Sequence, residues 1–464
     1  MLELGFTVVA DDIMRYRGSV LPVKVLRTDS NRFFVYDGLT SQIISINAEQ
    51  SMDGINEERL AEKVIPQLLE QGILTRGERG HACWPVSYEE YLSALSSSIP
   101  SLVLQTTRNC NLACCYCIYS GKYSHMRPSA PEDMSNETMC RSIEFYAAHS
   151  WRTPKAEIAF YGGEPLLCFQ SICNAVSYAR KIFQRKPLEI SISTNATLLN
   201  RKICDWLSEN TDVNLIMTVN GAFQEHSRKD FSGKGSLGKV MGGIRLLQQD
   251  YPEVWNHQVS FIANYASSIE IPAIHSFYRE QIGKNPMLLT KIRQDMGNAF
   301  IHKFLMTDEK REREVRKALR QEYFAHEDSF LDALFKPGID LLDERKLFAN
   351  EEEKHIASCM PFCARLFVRT DGKFNVCERT SDAFILGDLE HGFHETAIIR
   401  AMEEVRHLVD RNCSDCWAQR ICLLCFQHMV DENGNIRQRI PEELCCQMRQ
   451  NLSECLSMYC EIYG

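Results

Sequence analysis

The chain has 464 residues, a formal net charge of −9 and a pI near 5.9, so it is long enough for two or three domains and has no overall basic field to draw nucleic acid. No apolar run reaches the length of a membrane span, and the opening MLELGFTVVADDIMRYR has early acids and no basic stretch before an apolar core, so a cytoplasmic protein without a signal peptide is expected. Twenty cysteines fall in two groups, nine from Cys83 to Cys204 and eleven from Cys359 to Cys460, and in a reducing compartment such short-spaced clusters bind metal more often than they pair.

Residues 1–97 read as a small α+β module. PVKVLRT, FFVYDG and QIISIN are three short strands, rich in β-branched and aromatic residues and broken by Asn, Asp and Gly. EERLAEKVIPQLLEQGIL then sets Leu60, Val64, Leu68 and Leu69 on one helical face, with Pro66 expected to kink or split it. Residues 98–302 change to alternating strands and helices: SLVLQT, AEIAFY, LEISIS, NLIMTV, VSFIANY and PMLLTKI are the candidate strands. Between the first two, SNETMCRSIEFYAAH offers Ser135 as an N-cap and places Met139, Ile143 and Tyr146 on one face. Six βα units imply a parallel sheet, either open or a partial barrel. Residues 303–358, with DEKREREVRKALRQEY, read as a charged, helical, solvent-exposed bridge to the cysteine-rich remainder, 359–464.

In parallel βα folds, ligands sit at the C-terminal ends of the strands, and four distinctive pieces fall there. RNCNLACCYC follows the first strand and spaces Cys110, Cys114 and Cys117 as C-x3-C-x2-C, with Cys115 as an extra. Three thiolates on one loop can hold a soft metal centre and leave a coordination position open, where a closed structural site takes four ligands. YGGEP (Tyr161 to Pro165) follows the second strand, STNATLL the third and TVNG (Thr218 to Gly221) the fourth. Paired glycines admit close backbone approach, and Glu164 can accept from a cationic amine.

Cys110, Cys114 and Cys117, then Gly162-Gly163-Glu164-Pro165, then Thr194-Asn195, resemble the core of the radical S-adenosylmethionine enzymes over roughly residues 101–300. The resemblance implies a [4Fe-4S] cluster on the three cysteines, whose fourth iron takes the methionyl amine and carboxylate of S-adenosylmethionine. Reduction then splits the cofactor into methionine and a 5′-deoxyadenosyl radical that abstracts a substrate hydrogen. It also implies Gly162, Gly163 and Glu164 at the methionyl amine, Thr218 at the ribose, and Pro165, Thr194 and Asn195 in the same cofactor-binding rim. Relatives often read Asp-Gly, then His-Asp with an Arg four after the His. Here Asn220-Gly221 and EHSRKDF put Asp230 at the Arg position, with Arg228 as the nearby substitute.

The C-terminal region resembles the SPASM extension of peptide-modifying members of that family. Cys359 is followed by twelve residues, Gly372, and Cys377 five positions on; then come Cys413, Cys416 and Cys422 as C-x2-C-x5-C, and Cys425 after two residues where the family has three. The resemblance implies two auxiliary [4Fe-4S] clusters, three in all. The first would use Cys359, Cys363, Cys377 and Cys425. The second would use Cys413, Cys416, Cys422 and either Cys445 or Cys446, with Cys445 preferred because Arg449 follows at the family's offset. Zinc, as in a ribbon, is the alternative at these sites. Glu378, directly after Cys377, matches a proton acceptor of sulfatase-maturing relatives; the other reading is an exposed loop acid.

The expected fold is therefore α/β: a partial (β/α)6 barrel radical SAM core with a small N-terminal α+β module, similar to the peptide-recognition element fused to many such enzymes, and a C-terminal cysteine-rich SPASM domain. The layout is similar to that of maturases of cysteine-rich ribosomal peptides. It implies an oxidoreductase that joins a cysteine sulfur to carbon as a thioether in a precursor peptide. Partners implied are that peptide and an external reductant such as a flavodoxin or ferredoxin, with neither nucleic acid nor membrane. The alternatives are a sulfatase-type maturase forming formylglycine and, as a non-enzyme, a zinc-stabilised peptide-binding adaptor.

Overall fold

The computed structural model describes residues 6–9, 13–16, 19–46, 57–74, 81–121, 126, 128–292, 308–325, 329–346, 354–356, 359–422 and 424–464. Its frame is one mixed sheet. Strands β1 (Ser101–Thr107), β2 (Ala156–Gly162), β3 (Leu188–Thr194), β4 (Val213–Thr218), β5 (Val259–Tyr265) and β6 (Leu288–Lys291) pair in chain order, each parallel to the next. All six expected strands form. Helices return the chain between them; after β1, Ser135 accepts from the Thr138 amide at 3.0 Å to cap Asn136–His149, and Met139, Ile143 and Tyr146 are buried under it.

Alternation along the strands separates two environments. Ile158 and Phe160, Ile190 and Ile192, Leu215 and Met217, and Phe261 and Ala263 are buried in the core, whereas Tyr161, Ser193, Thr218 and Asn264 lie on the opposite face and line a cavity. β1 is buried on both faces, as a strand in mid-sheet should be. On its other side it pairs in parallel with β7 (Leu366–Val368), and β8 (Lys373–Asn375), β9 (Gly387–Asp388) and β10 (Gly392–Phe393) continue antiparallel. The cysteine-rich region thus enters the sheet beside the strand that carries the first cysteine loop.

The N-terminal module has the three expected strands, Val23–Arg27, Phe33–Asp37 and Ile43–Ile46, as an antiparallel sheet. Helix Glu57–Glu70 packs Leu60 and Ile65 against Val23, Val25 and Val35. Pro66 does not split that helix. The carbonyl that its missing N–H leaves without a donor belongs to exposed Glu62, where water can serve. A second meander, Phe6–Val9, Ile13–Tyr16 and Ser19–Leu21, was not expected; strands of three or four residues are too short to show a period.

The expected exposed bridge is instead packed. Residues 303–307, 326–328, 347–353 and 357–358 lie outside the described residues, but helices Glu309–Ala325 and Ser329–Lys346 are described, and Phe330, Leu331, Phe335, Ile339 and Leu342 are buried. The charges of the first helix are used: Arg316 and Arg320 both pair with Glu454 of the C-terminal helix Glu442–Tyr463, at 2.6 and 2.5 Å. A charge run can be a docking face when its partners lie far away in sequence. Among the described residues no helix is long and apolar enough to cross a membrane.

Candidate active site and metal centres

Cys110, Cys114 and Cys117 line a cavity of about 300 Å³ at the C-terminal ends of the strands. Gly162 and Gly163 join it after β2, Thr194 and Asn195 at β3, and Thr218 at β4, so these expected site residues come together. Asn264, Thr290 and Lys291 complete the wall from β5 and β6. The glycines are required by close approach. Gly162 has φ +137°, and a Cβ there would lie 2.3 Å from the Thr107 carbonyl oxygen; a Cβ on Gly163 would lie 2.1 Å from that of Asn109. In return the Gly163 and Glu164 amides donate to those same carbonyls at 2.8 Å, which fastens the glycine turn to the start of the cysteine loop.

Glu164 and Pro165 do not line the cavity. Pro165 opens the turn Pro165–Cys168, where a residue without an N–H is at no disadvantage. Glu164 is fully buried: Oε1 accepts from the Leu166 amide (3.1 Å) and the Thr194 hydroxyl (2.6 Å), and Oε2 from the Asn195 amide (2.7 Å). Burial pushes its carboxyl above the usual range. Its visible task is to tie the rim after β2 to the rim after β3. Asn195 continues the chain of contacts, donating to Asn111 Oδ1 at 2.8 Å within the cysteine loop. Asn220, where relatives have Asp, is also fully buried; it donates to the Tyr116 hydroxyl (2.8 Å) and accepts from the Asn264 amide (2.9 Å). An amide serves here because one donor and one acceptor are needed at once.

Among the described residues the cavity lining contains cysteines, hydroxyls, amides and cations but no carboxylate. Arg228 is buried in that wall and donates to the Thr218 carbonyl. Burial works against its charge, but the Tyr116 hydroxyl and the Cys114 thiol beside it keep it firmly cationic. Burial also pushes Cys110 up to about 11 and Cys117 up to about 12, so without metal both are thiols at neutral pH. Cys115 is not in the lining; its amide donates to the Ser227 carbonyl.

The late cysteines form two further groups. Cys413, Cys416, Cys422 and Cys445 line one cavity of about 140 Å³, together with Trp417 and Arg449. Cys446 is not in that lining, but it lies 3.6 Å from Glu442 Oε1 and 3.3 Å from an Arg449 nitrogen, two residues that are. In the other group Cys377 is close enough to feel Cys425 and Cys359, and Cys363 to feel Cys359; burial is the main reason that both thiols are raised, Cys363 to about 11. This group adjoins the first cavity, because Arg379 and Gln427, each two residues from one of its cysteines, line that cavity. Glu378 does not. Its carboxylate lies 3.6 Å from Arg365 and 3.7 Å from Arg379, and its backbone carbonyl accepts from Tyr119 of the cysteine loop.

Residues 104–259 match the family model of the Radical SAM superfamily. The chain carries a radical SAM domain. It is 33% identical over 150 residues to a serine-type anaerobic sulfatase-maturating enzyme of Bacteroides thetaiotaomicron, covering 32% of this chain and 36% of that protein. It is 26% identical over 192 residues to a cysteine-type anaerobic sulfatase-maturating enzyme of Clostridium novyi, covering 40% and 49%. The chain thus spans between a third and a half of these curated relatives. The fold matches the solved structure of anSMEcpe with bound AdoMet and Cp18Cys peptide at a TM-score of 0.56 and 17% identity, over 78% of this chain and 99% of that one.

The residues present in the radical SAM domain fit a [4Fe-4S] cluster. The donors are all sulfur: Cys110, Cys114 and Cys117, from one loop, line a single cavity, and soft thiolate ligands suit iron–sulfur centres. Sequence reading undervalued Arg228 and missed Asn264, Lys291, Arg379 and Gln427. For Asn264 and Lys291 the signal was available, since each is a polar residue at the C-terminal end of a parallel strand.

Proposed function

We propose that this chain is a radical SAM peptide maturase that installs a thioether, joining a cysteine sulfur to carbon in a ribosomally made, cysteine-rich precursor peptide. The observation that carries the reading is the three-part grouping of eleven thiols: one group at the strand ends, one adjoining it, and one in a separate cavity. Cys110, Cys114 and Cys117 would hold the cofactor-binding cluster. Cys359, Cys363, Cys377 and Cys425 would hold the first auxiliary cluster, and Cys413, Cys416, Cys422 and Cys445 the second. Bound at the first site, cluster and S-adenosylmethionine supply hydrogen abstraction from carbon. The chain's own residues then have clear tasks. Arg228 would pair with the cofactor's carboxylate, Gly162 and Gly163 would leave room for its methionyl end, and Thr218 would meet the ribose. Lys291, Arg379 and Gln427, on the wall towards the C-terminal region, orient the peptide. Residues 1–97 are the part that captures the precursor.

A second reading, oxidation of a Cys or Ser to formylglycine, is favoured by the sulfatase-maturating relatives. Against it, the acid next to Cys377 is held between two guanidiniums and is not in the cavity wall. Product chemistry separates the two. Loss of one C–H and one S–H for each C–S bond lowers the peptide mass by about two daltons. The joined sulfur should resist alkylation even after reduction, unlike a disulfide of equal mass. A carbonyl that traps hydrazine would establish formylglycine instead.

A further inference from the structure

The cavity lined by Cys413, Cys416, Cys422 and Cys445 takes its described lining from residues 356–449, but a distant part of the chain packs behind that lining. Between Cys416 and Cys422 the chain runs Trp417 to Ile421, and this stretch is covered by the N-terminal module. Tyr36 meets the Trp417 ring edge-on at 6.1 Å, and the Lys24 ammonium lies 6.0 Å over the same ring. Gln419 donates to the Gly38 carbonyl at 3.3 Å. Gly38 leaves no space at all: a Cβ there would lie 2.2 Å from the Trp417 carbonyl oxygen and 2.6 Å from that of Pro22, both backbone atoms. The turn is stiffened from inside, because Asp37 accepts from the Leu39 amide (2.8 Å) and the Thr40 hydroxyl (2.9 Å).

The fourth thiol is gripped from the same module. Cys445 lies in the first turn of the helix Glu442–Tyr463. At the other end of that helix, Arg32 donates to the carbonyls of Cys460 (3.1 Å), Glu461 (2.8 Å) and Gly464 (2.6 Å), as a cation should at a helix C-terminus. Midway, Arg320 bridges Asp29 of the module (2.8 Å) and Glu454 of the helix (2.5 Å). A helix is stiff over this length, so fixing its far half fixes the placement of Cys445.

We infer that the N-terminal module buttresses the second auxiliary site: Gly38 and Arg32 are positioning residues that set the loop of Cys413, Cys416 and Cys422 and the helix of Cys445 around one space. The inference rests on the reading of that cavity as a cluster site, but its test does not depend on which metal binds.

The full-length chain is compared with Gly38→Ala and Arg32→Ala, first before iron loading and then after anaerobic reconstitution. In the metal-free chain, Gly38→Ala should raise alkylation at Cys413, Cys416, Cys422 and Cys445 several-fold and leave Cys110, Cys114 and Cys117 unchanged. Arg32→Ala, which inserts nothing into the core, should raise Cys445 selectively. After reconstitution Gly38→Ala should hold about eight irons where the parent holds about twelve. A folded Arg32→Ala chain with parental alkylation at Cys445, or a Gly38→Ala chain with parental alkylation at all four cysteines, overturns the inference. A parent that fills this cavity with zinc would instead overturn the cluster reading, and the alkylation pattern would still decide whether the module buttresses the site.

Discussion

The cavity at the strand ends and the cavity of the second auxiliary group are both lined by cysteine, yet they are built in opposite ways. At the strand ends the three cysteines lie on one loop, and the rest of the wall comes mainly from residues that follow successive parallel strands. The sheet itself does the placing, and rim contacts such as those of Glu164 and Asn195 lock neighbouring strand ends together. The cavity proposed for the second auxiliary cluster takes three cysteines from the end of one helix and the loop after it, and one from a helix that begins some twenty residues later; the segment packed behind its lining lies in the first tenth of the chain. A site made by strand order announces itself in local motifs. A site made by docking of distant segments shows its donors in the sequence but not the choice among them.

The sharpest way to separate the two is to empty each in turn. Replacing Cys110, Cys114 and Cys117 together by Ala should leave about eight of about twelve irons and abolish cofactor cleavage. Replacing Cys413, Cys416 and Cys422 should leave a similar iron count but preserve reductive cleavage of the cofactor, measured as 5′-deoxyadenosine, while stopping formation of modified peptide. If both triple variants lose cleavage, the two sites are not functionally distinct.

A finer contrast lies between adjacent residues. Cys445 lines the cavity with its three partners, and Cys446 does not. Cys445→Ala should therefore lower iron at the auxiliary site, and Cys446→Ala should leave it unchanged. Iron analysis and the electron paramagnetic signal of the reduced protein both report this, and equal losses would break the assignment.

The same contrast shows what could be read without coordinates. All six core strands, the Ser135 cap, the cysteine loop and the paired glycines were legible, because each depends on a period or on the steric demand of a single position. Side-chain direction was not. The resemblance implies Glu164 at the cofactor's amine; in the structure it accepts from Leu166, Thr194 and Asn195 and lies behind the cavity lining. Arg228 was visible only as a displaced substitute, and its burial in the cavity wall depends on how the segment after Gly221 folds back over the cysteine loop. The charged run after residue 308 looked solvated because its partners, Asp29 and Glu454, are far from it in sequence.

Smaller effects test the rim itself. Glu164→Gln keeps the shape but puts an amide group where an acceptor is needed, leaving Asn195 N–H or the Thr194 hydroxyl unsatisfied in the core. It should cost about 1–3 kcal/mol of stability, read as a lower melting temperature. An unchanged melting temperature would mean that the rim contacts are dispensable. In the metal-free chain, alkylation of Cys110 and Cys117 should be slow at neutral pH, because burial holds their thiols near 11 and 12. Below those values the thiolate fraction rises with pH, so the rate should climb about tenfold per pH unit between pH 7 and pH 10. A plateau near pH 9 would show ordinary, solvated thiols instead.

The most direct measurement follows one hydrogen. A precursor peptide carrying deuterium on carbon throughout is incubated with the reconstituted chain, S-adenosylmethionine and a reductant, and the peptide and nucleoside products are weighed in the same run. The account predicts one equivalent of 5′-deoxyadenosine, each molecule heavier by about one dalton, for every bond made, from a peptide whose modified cysteine resists alkylation after reduction. Unlabelled 5′-deoxyadenosine, or labelled 5′-deoxyadenosine beside a peptide in which every cysteine still alkylates, would contradict it.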